Sequence, residues 1–342
     1  MELNKNTNIF VNKKYWKNMN DNEIENFVNE IFIYYRKNGF PYYSTTDEYR
    51  KSEFSKLINF NYENLWYEDI IGQSMHGLGL AWSYFPHSFN VKCNNKITPY
   101  EAFFDDKIFK DVIRKRLKIG TYISDSGIRK MLKIHTGVQG VSNFRPTAAA
   151  CIYKKYGNGG TVWDMSSGWG GRLLGAIISN NVSKYIGTEP SKKTYDGLFE
   201  LAKDFSGNMK YELNLCGSEE YIPHKNSLDL CFTSPPYFNL EKYSNEHTQS
   251  YLKYPLLDDW IENFLKKTII NCYHGLKKNG FLIINISDNP KNNLNLELNT
   301  IQIANFIGFK HIETIKLTLS NVNLRNKNSK YKYEPIFVFK KN

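Results

Sequence analysis

The sequence is sparing with cysteine. Five residues, Cys93, Cys151, Cys216, Cys231 and Cys272, are scattered over 342 positions, and none forms a Cys-x-x-Cys pair. That spacing excludes a disulfide framework and a zinc site, so no metal and a reducing, cytoplasmic setting are expected. Long apolar runs are missing as well. No stretch approaches the roughly 18 residues of a membrane span, and the polar segment Met1 to Asn20 lacks the apolar core of a secretory leader, so no membrane partner is expected. No internal repeat is present. Two nucleotide-binding signatures are also absent. The one glycine-rich turn has Leu173 where a dinucleotide fingerprint needs its third glycine, and no Gly-Lys-Ser/Thr follows it. Acidic residues are the minority, 34 against 45 basic ones, giving a net charge of +11. Such a surface concentrates polyanions, although abundant lysine and asparagine also fit a coding bias.

What is present changes character along the chain. Residues 21 to 40 place Ile24, Phe27, Val28, Ile31, Phe32 and Tyr35 at helical spacing, and residues 52 to 70 and 100 to 118 also read as helices. Residues 1 to about 135 are therefore expected to form a mainly helical domain. From residue 136 to 342, short apolar strands alternate with helical segments. Strands are expected at Thr161–Asp164, Lys184–Thr188, Leu228–Thr233, Gly280–Ile286, Lys310–Leu319 and Pro335–Lys340. Helices are expected at Arg172–Ser179, Lys192–Phe205, Leu257–Leu276 and Ile301–Ile307. Alternation of this kind predicts an α/β fold with a Rossmann-like parallel sheet, binding its ligand at the carboxyl ends of the strands.

The first of those strand ends is Asp164, followed by Met165-Ser166-Ser167-Gly168-Trp169-Gly170-Gly171 and a helix. Glycines let the backbone approach a ligand, and the helix start offers free N–H groups. An acid ahead of Gly-x-Gly resembles the first motif of S-adenosylmethionine-dependent methyltransferases, with Asp164, Ser166, Gly168 and Gly170 as cofactor-binding candidates. The next strand ends on Glu189, whose carboxylate can accept two hydrogen bonds from ribose hydroxyls. After the third strand region comes Leu215-Cys216-Gly217-Ser218-Glu219. In the family this loop lies beside the adenine, so Ser218 or Glu219 is the candidate there. Upstream, Asn143-Phe144-Arg145-Pro146-Thr147 resembles the segment that holds the methionine end, with Phe144 or Thr147 as the contact. An ordinary helix start with proline in its first turn gives the same pattern.

The fourth strand runs into Ser234-Pro235-Pro236-Tyr237. This resembles the Asp/Asn/Ser-Pro-Pro-aromatic motif of the amino methyltransferases, which act on cytosine N4, adenine N6 and some RNA guanine N2 positions. A base amino group is a poor nucleophile because its lone pair is delocalised into the ring. The Ser234 side chain and the Pro235 carbonyl can each accept one amine N–H, two prolines hold the turn rigid, and Tyr237 can stack on a flipped base. Each of the eleven prolines is followed by something other than cysteine, so the Pro-Cys nucleophile of cytosine C5 methylation is excluded. The resemblance covers about residues 140 to 342 and implies a seven-stranded methyltransferase sheet, S-adenosylmethionine as cofactor and DNA as partner, in a restriction-modification setting. Ser234 favours cytosine N4, with adenine N6 close behind. An RNA base amino methyltransferase and a catalytically silent nucleic-acid-binding subunit are the alternatives. With little room between the cofactor and catalytic motifs, target recognition falls to residues 1 to about 135, with the basic cluster Arg114, Lys115, Arg116 and Lys118, helped by the loop Arg325 to Lys332. A solvated helix face is the plain reading of the first cluster. Asn239 to Tyr254 reads as a long polar loop of the kind that closes over a site.

Overall fold

The structure, a computed structural model, describes residues 18–119, 123–289, 294–320 and 331–342. It divides into two compact units, Met1–Tyr43 with Pro86–Val141, and Ser44–Phe85 with Ser142–Asn342. Residues 44–85, read from sequence as part of the N-terminal region, thus group with the C-terminal part of the chain. No helix of the described residues is long and apolar enough to cross a membrane.

The first unit is helical. Asn20 caps the helix Asp21–Asn38 in a reciprocal pair with Glu23, which satisfies two otherwise orphaned N–H groups. The buried stripe Phe27, Val28, Ile31 and Tyr35 packs with Phe103, Phe109, Val112, Ile113 and Leu117. Phe109, Val112, Ile113 and Leu117 lie on the helix Asp106–Lys118. The basic end of that helix is partly neutralised within the unit. Arg114 makes two hydrogen bonds to Glu25, at 2.6 and 2.8 Å, and Lys115 pairs with Asp111 at 2.9 Å.

The second unit carries the sheet. Its strands are β1 Trp66–Tyr67, β2 Ile70–Ile71, β3 Gly160–Asp164, β4 Val182–Thr188, β5 Lys210–Asn214, β6 Leu228–Thr233, β7 Leu276–Asn285, β8 Phe309–Thr318 and β9 Tyr333–Lys341. Their order is β1-β2-β8-β9-β7-β6-β3-β4-β5. Strands β3 to β7 run parallel, and β9 is antiparallel to both β7 and β8. The six strands placed from sequence are all present, the third strand region is β5, and the short β1–β2 hairpin extends the edge by pairing Ile70 and Ile71 with Lys316 and Leu317 of β8. The central strands are apolar almost throughout, as strands covered on both faces must be. Val162, Trp163, Leu230, Cys231, Phe232, Ile283 and Val338 are all fully buried. The long helix expected at Leu257–Leu276 starts as predicted but passes through a π-helical turn at Ile261–Lys266, and β7 begins at Leu276 rather than Gly280.

This order places the functional motifs. From β3 the chain winds outward through β4 and β5, then returns to lay β6 on the other side of β3. The strand order reverses between β3 and β6, and their carboxyl ends are Asp164 and Thr233. A crevice opens at such a reversal because the two flanking loops diverge.

Candidate active site

Asp164 is the hub of the crevice and is fully buried. Its Oδ2 accepts hydrogen bonds from Arg172 Nε at 2.9 Å and from the Tyr185 hydroxyl at 2.8 Å. Its Oδ1 accepts one from the Thr233 hydroxyl at 2.9 Å. The Thr233 oxygen in turn accepts the Ser166 N–H at 3.1 Å, and Arg172 Nη2 donates to the Ser166 carbonyl. A buried carboxylate with an ion-pair partner and two hydroxyl donors is well compensated. Asp164 therefore acts on the glycine turn from behind, by fixing its backbone, with both oxygens already engaged.

The turn itself needs its glycines. Gly168 and Gly170 sit at φ +53° and +71°, the left-handed region that costs any residue with a Cβ about 1 kcal/mol or more. Gly171 is required by close approach. A Cβ there would lie 2.0 Å from the Phe144 carbonyl oxygen and 2.6 Å from Asn143 Oδ1. Asn143 also donates to the Trp169 carbonyl at 2.9 Å. The segment upstream of the helix Pro146–Tyr156 is thereby locked onto the glycine turn. Phe144 packs edge-on against Phe232 and lies under the Arg172 guanidinium. Thr147 is fully buried, and its hydroxyl has no hydrogen-bond partner among the described residues.

Glu189 follows β4. One carboxylate oxygen accepts the Gly168 N–H at 3.1 Å and the other the Ser191 N–H at 2.9 Å. Burial pushes its carboxyl up to about 7, against the pull of those two N–H groups, with Asp164 and Glu246 adding to the rise. Beyond β5, the Ser218 hydroxyl is engaged by Thr268 at 2.7 Å. Glu219 presents one oxygen to Lys253 at 2.8 Å, and its other oxygen is buried with no partner among the described residues. Of the two candidates in this loop, Glu219 is the one with an open acceptor.

Ser234 to Tyr237 continue from Thr233, so the turn after β6 is tied to the turn after β3 through a single hydroxyl. Pro235 is buried, while Ser234, Pro236 and Tyr237 are half-buried. Tyr237 packs against the cluster around Trp260, Phe238 and Met165. Burial pushes its phenol well above the usual tyrosine range, with Glu334 adding to that and a Ser234 hydrogen bond opposing it. Phe238 adopts φ +56°. Strain of this kind in a bulky residue persists only where packing overrides it, and here the ring is buried edge-on against Trp260 at 5.9 Å.

Residues 228–342 match the model of a family described as DNA methylase. The match spans about a third of the chain, and over that stretch the chain is similar to the family. No curated protein matches the chain. Among solved structures it is similar to an S-adenosylmethionine-dependent O-methyltransferase from Thermotoga maritima, at 12% identity over 59% of this chain and 67% of the other, with a TM-score of 0.41. A methyltransferase from Aquifex aeolicus aligns at 14% identity over 56% and 88%, with a TM-score of 0.39. A geranyl diphosphate methyltransferase in complex with S-adenosylmethionine aligns at 10% identity over 57% and 85%, also at 0.39.

The turns after β3 and β5 and the start of the helix Pro146–Tyr156 present polar groups that could hold a ligand. Glu219 and Thr147 offer buried polar atoms without partners, and the glycine turn offers a backbone cradle. Asn143, Arg172 and Thr233 were not singled out from sequence, because each acts on another residue rather than on a ligand. The signal for Thr233 was its place as the last polar residue of an apolar strand. Lys327, Arg325 and Lys330 of the basic loop lie outside the described residues, and Lys332 is exposed.

Proposed function

We propose that the chain is an S-adenosylmethionine-dependent methyltransferase that acts on an exocyclic amino group of a base in DNA, cytosine N4 foremost and adenine N6 next. The observation that carries this reading is the turn Ser234-Pro235-Pro236-Tyr237, held at the strand-order reversal and keyed by Thr233 to the cofactor turn. When bound, the cofactor supplies an electrophilic methyl on a sulfonium. Glu189 accepts the ribose hydroxyls, Glu219 accepts the adenine amino group, and Phe144, Thr147 and the turn from Asp164 through Ser166 and Gly168 to Gly170 hold the methionine end. Ser234 Oγ and the Pro235 carbonyl accept the two N–H bonds of the target amine. Its lone pair would then be localised for attack on the donated methyl, the S–CH3 bond breaking as N–CH3 forms and one amine proton leaving to solvent, and positioning would supply most of the rate. The Tyr237 ring provides a face for the extracted base. The net charge of +11 favours a polyanion as substrate.

The test is transfer of a labelled methyl from S-adenosylmethionine to duplex DNA, single-stranded DNA and RNA by the full chain. Label in DNA supports the reading. Label confined to RNA removes the DNA assignment and leaves the amino chemistry.

A further inference from the structure

The segment Asn239–Tyr254 leaves the catalytic turn and touches, in order, the three loops that carry the cofactor candidates. Tyr243 lies edge-on against Trp169 of the glycine turn, with ring centroids 6.0 Å apart. Glu246 accepts the Lys192 N–H with both oxygens, at 3.2 and 3.3 Å, and Thr248 donates to the Pro190 carbonyl at 2.8 Å. Both contacts fall within three residues of Glu189. Lys253 then bridges Glu219 at 2.8 Å and Glu220 at 2.7 Å. The segment is braced by the Tyr251 hydroxyl on the Ser244 carbonyl at 2.7 Å, within it, and by the indole of Trp260, beyond it, on Ser250 at 3.0 Å. Holding a polar loop in one path costs conformational entropy at every residue. Here the contacts that offset this cost converge on the loops after β3, β4 and β5.

The Lys253 contact has a particular geometry. The Glu219 side chain is 2% exposed, and Lys253 engages only one of its oxygens. The other is buried without a partner among the described residues. Lys253 pairs with Glu219 from one side and leaves the second oxygen open to an N–H donor.

We propose that Asn239–Tyr254 is a strap that retains the adenosine half of the cofactor, with Lys253 as the positioning residue for Glu219, and Glu246 and Thr248 as positioning residues for the turn that carries Glu189. The inference rests on the reading of Glu189 and Glu219 as cofactor residues. It assigns to the segment after the catalytic turn a role in holding the cofactor that is separate from any contact with the target base.

The experiment measures association and release of labelled S-adenosylmethionine with the full chain in the absence of nucleic acid. Lys253→Met is expected to speed release at least about tenfold, the factor that loss of a charge-assisted hydrogen bond carries. Association is expected to change far less, and Lys253→Arg to restore slow release. Lys203→Met, at the exposed pair with Glu200, is expected to leave both rates unchanged. The double variant Glu246→Gln/Thr248→Val is expected to speed release as well, and it decides the question if Lys253→Met does not fold. Unchanged release in the folded variants overturns the strap alone. If the unaltered chain binds no S-adenosylmethionine, the cofactor reading falls and the strap with it.

Discussion

Glu189 is 8% exposed and its carboxyl is raised from 4.5 to about 7, so its charge state changes near neutral pH. In the proposed binding mode the Glu189 carboxylate, and not the protonated acid, accepts hydrogen bonds from two ribose hydroxyls. Cofactor binding therefore favours the deprotonated form and must compete with a proton below pH 7. For a group titrating near 7, the charged fraction falls about tenfold between pH 8 and pH 6. Affinity for S-adenosylmethionine is expected to fall by about the same factor over that range and to level off above pH 8. The free chain responds with the opposite sign. A carboxyl raised in the folded state binds a proton between 4.5 and 7 that the unfolded chain does not, so its contribution to stability is present below 4.5 and lost as pH rises through 7. The shift corresponds to roughly 3 kcal/mol. The thermal shift produced by the cofactor should accordingly be larger at pH 8 than at pH 6. Calorimetry in buffers of different ionisation enthalpy measures the affinity and the proton released. Glu189→Gln is expected to bind more weakly and to lose this pH dependence. A flat affinity profile in the unaltered chain, or an unchanged profile in Glu189→Gln, would refute the reasoning.

Three further perturbations probe the rest of the site. Ser234→Ala should lower the single-turnover rate while leaving cofactor affinity within a few-fold, and Tyr237→Ala should weaken base capture by about 1–3 kcal/mol if the ring stacks; full activity of Tyr237→Ala would remove the stacking role. Gly171→Ala drives a Cβ to 2.0 Å from the Phe144 carbonyl, so the melting temperature and cofactor affinity should fall together, whereas a variant that melts and binds as the original would show that the two segments are not locked. A chain truncated to begin at Thr136 removes residues 44–85, including the hairpin on β8 and the buried Leu57, Leu80 and Phe85, and is expected to lose its cooperative melting transition by circular dichroism; a sharp transition would show that the second unit folds without them.

The motifs proposed to bear on a ligand stood out in the sequence because the chemistry proposed for them requires unusual local composition. Two glycines at positive φ and two adjacent prolines cannot be mistaken for ordinary core. What surrounds them was not legible. Asp164 was read as a cofactor candidate, and the sequence did not show that its oxygens are also engaged by Arg172, Tyr185 and Thr233. Those partners lie 8, 21 and 69 residues away along the chain, and no local pattern joins them. Between Ser218 and Glu219 the choice depended on Thr268 and Lys253, both on later segments. The strained Phe238 carries no sequence signal, since glycine or asparagine would be expected at that backbone angle. Helical periodicity was read correctly at residues 21 to 40, but periodicity says nothing about which unit a helix joins, and residues 44–85 return to the sheet through two residues of pairing on β8. The cluster Arg114–Lys118 shows the same limit, because Glu25 partners Arg114 from another helix.

The atom that receives the methyl group decides the proposed function. Mass spectrometry of nucleosides, from DNA and RNA of cells expressing the full chain and from cells expressing Ser234→Ala, reads that atom directly. N4-methylcytosine or N6-methyladenine in DNA, present with the unaltered chain and lost with Ser234→Ala, is the predicted result. Methylguanine, modified nucleosides confined to RNA, or no modified base in either would contradict it.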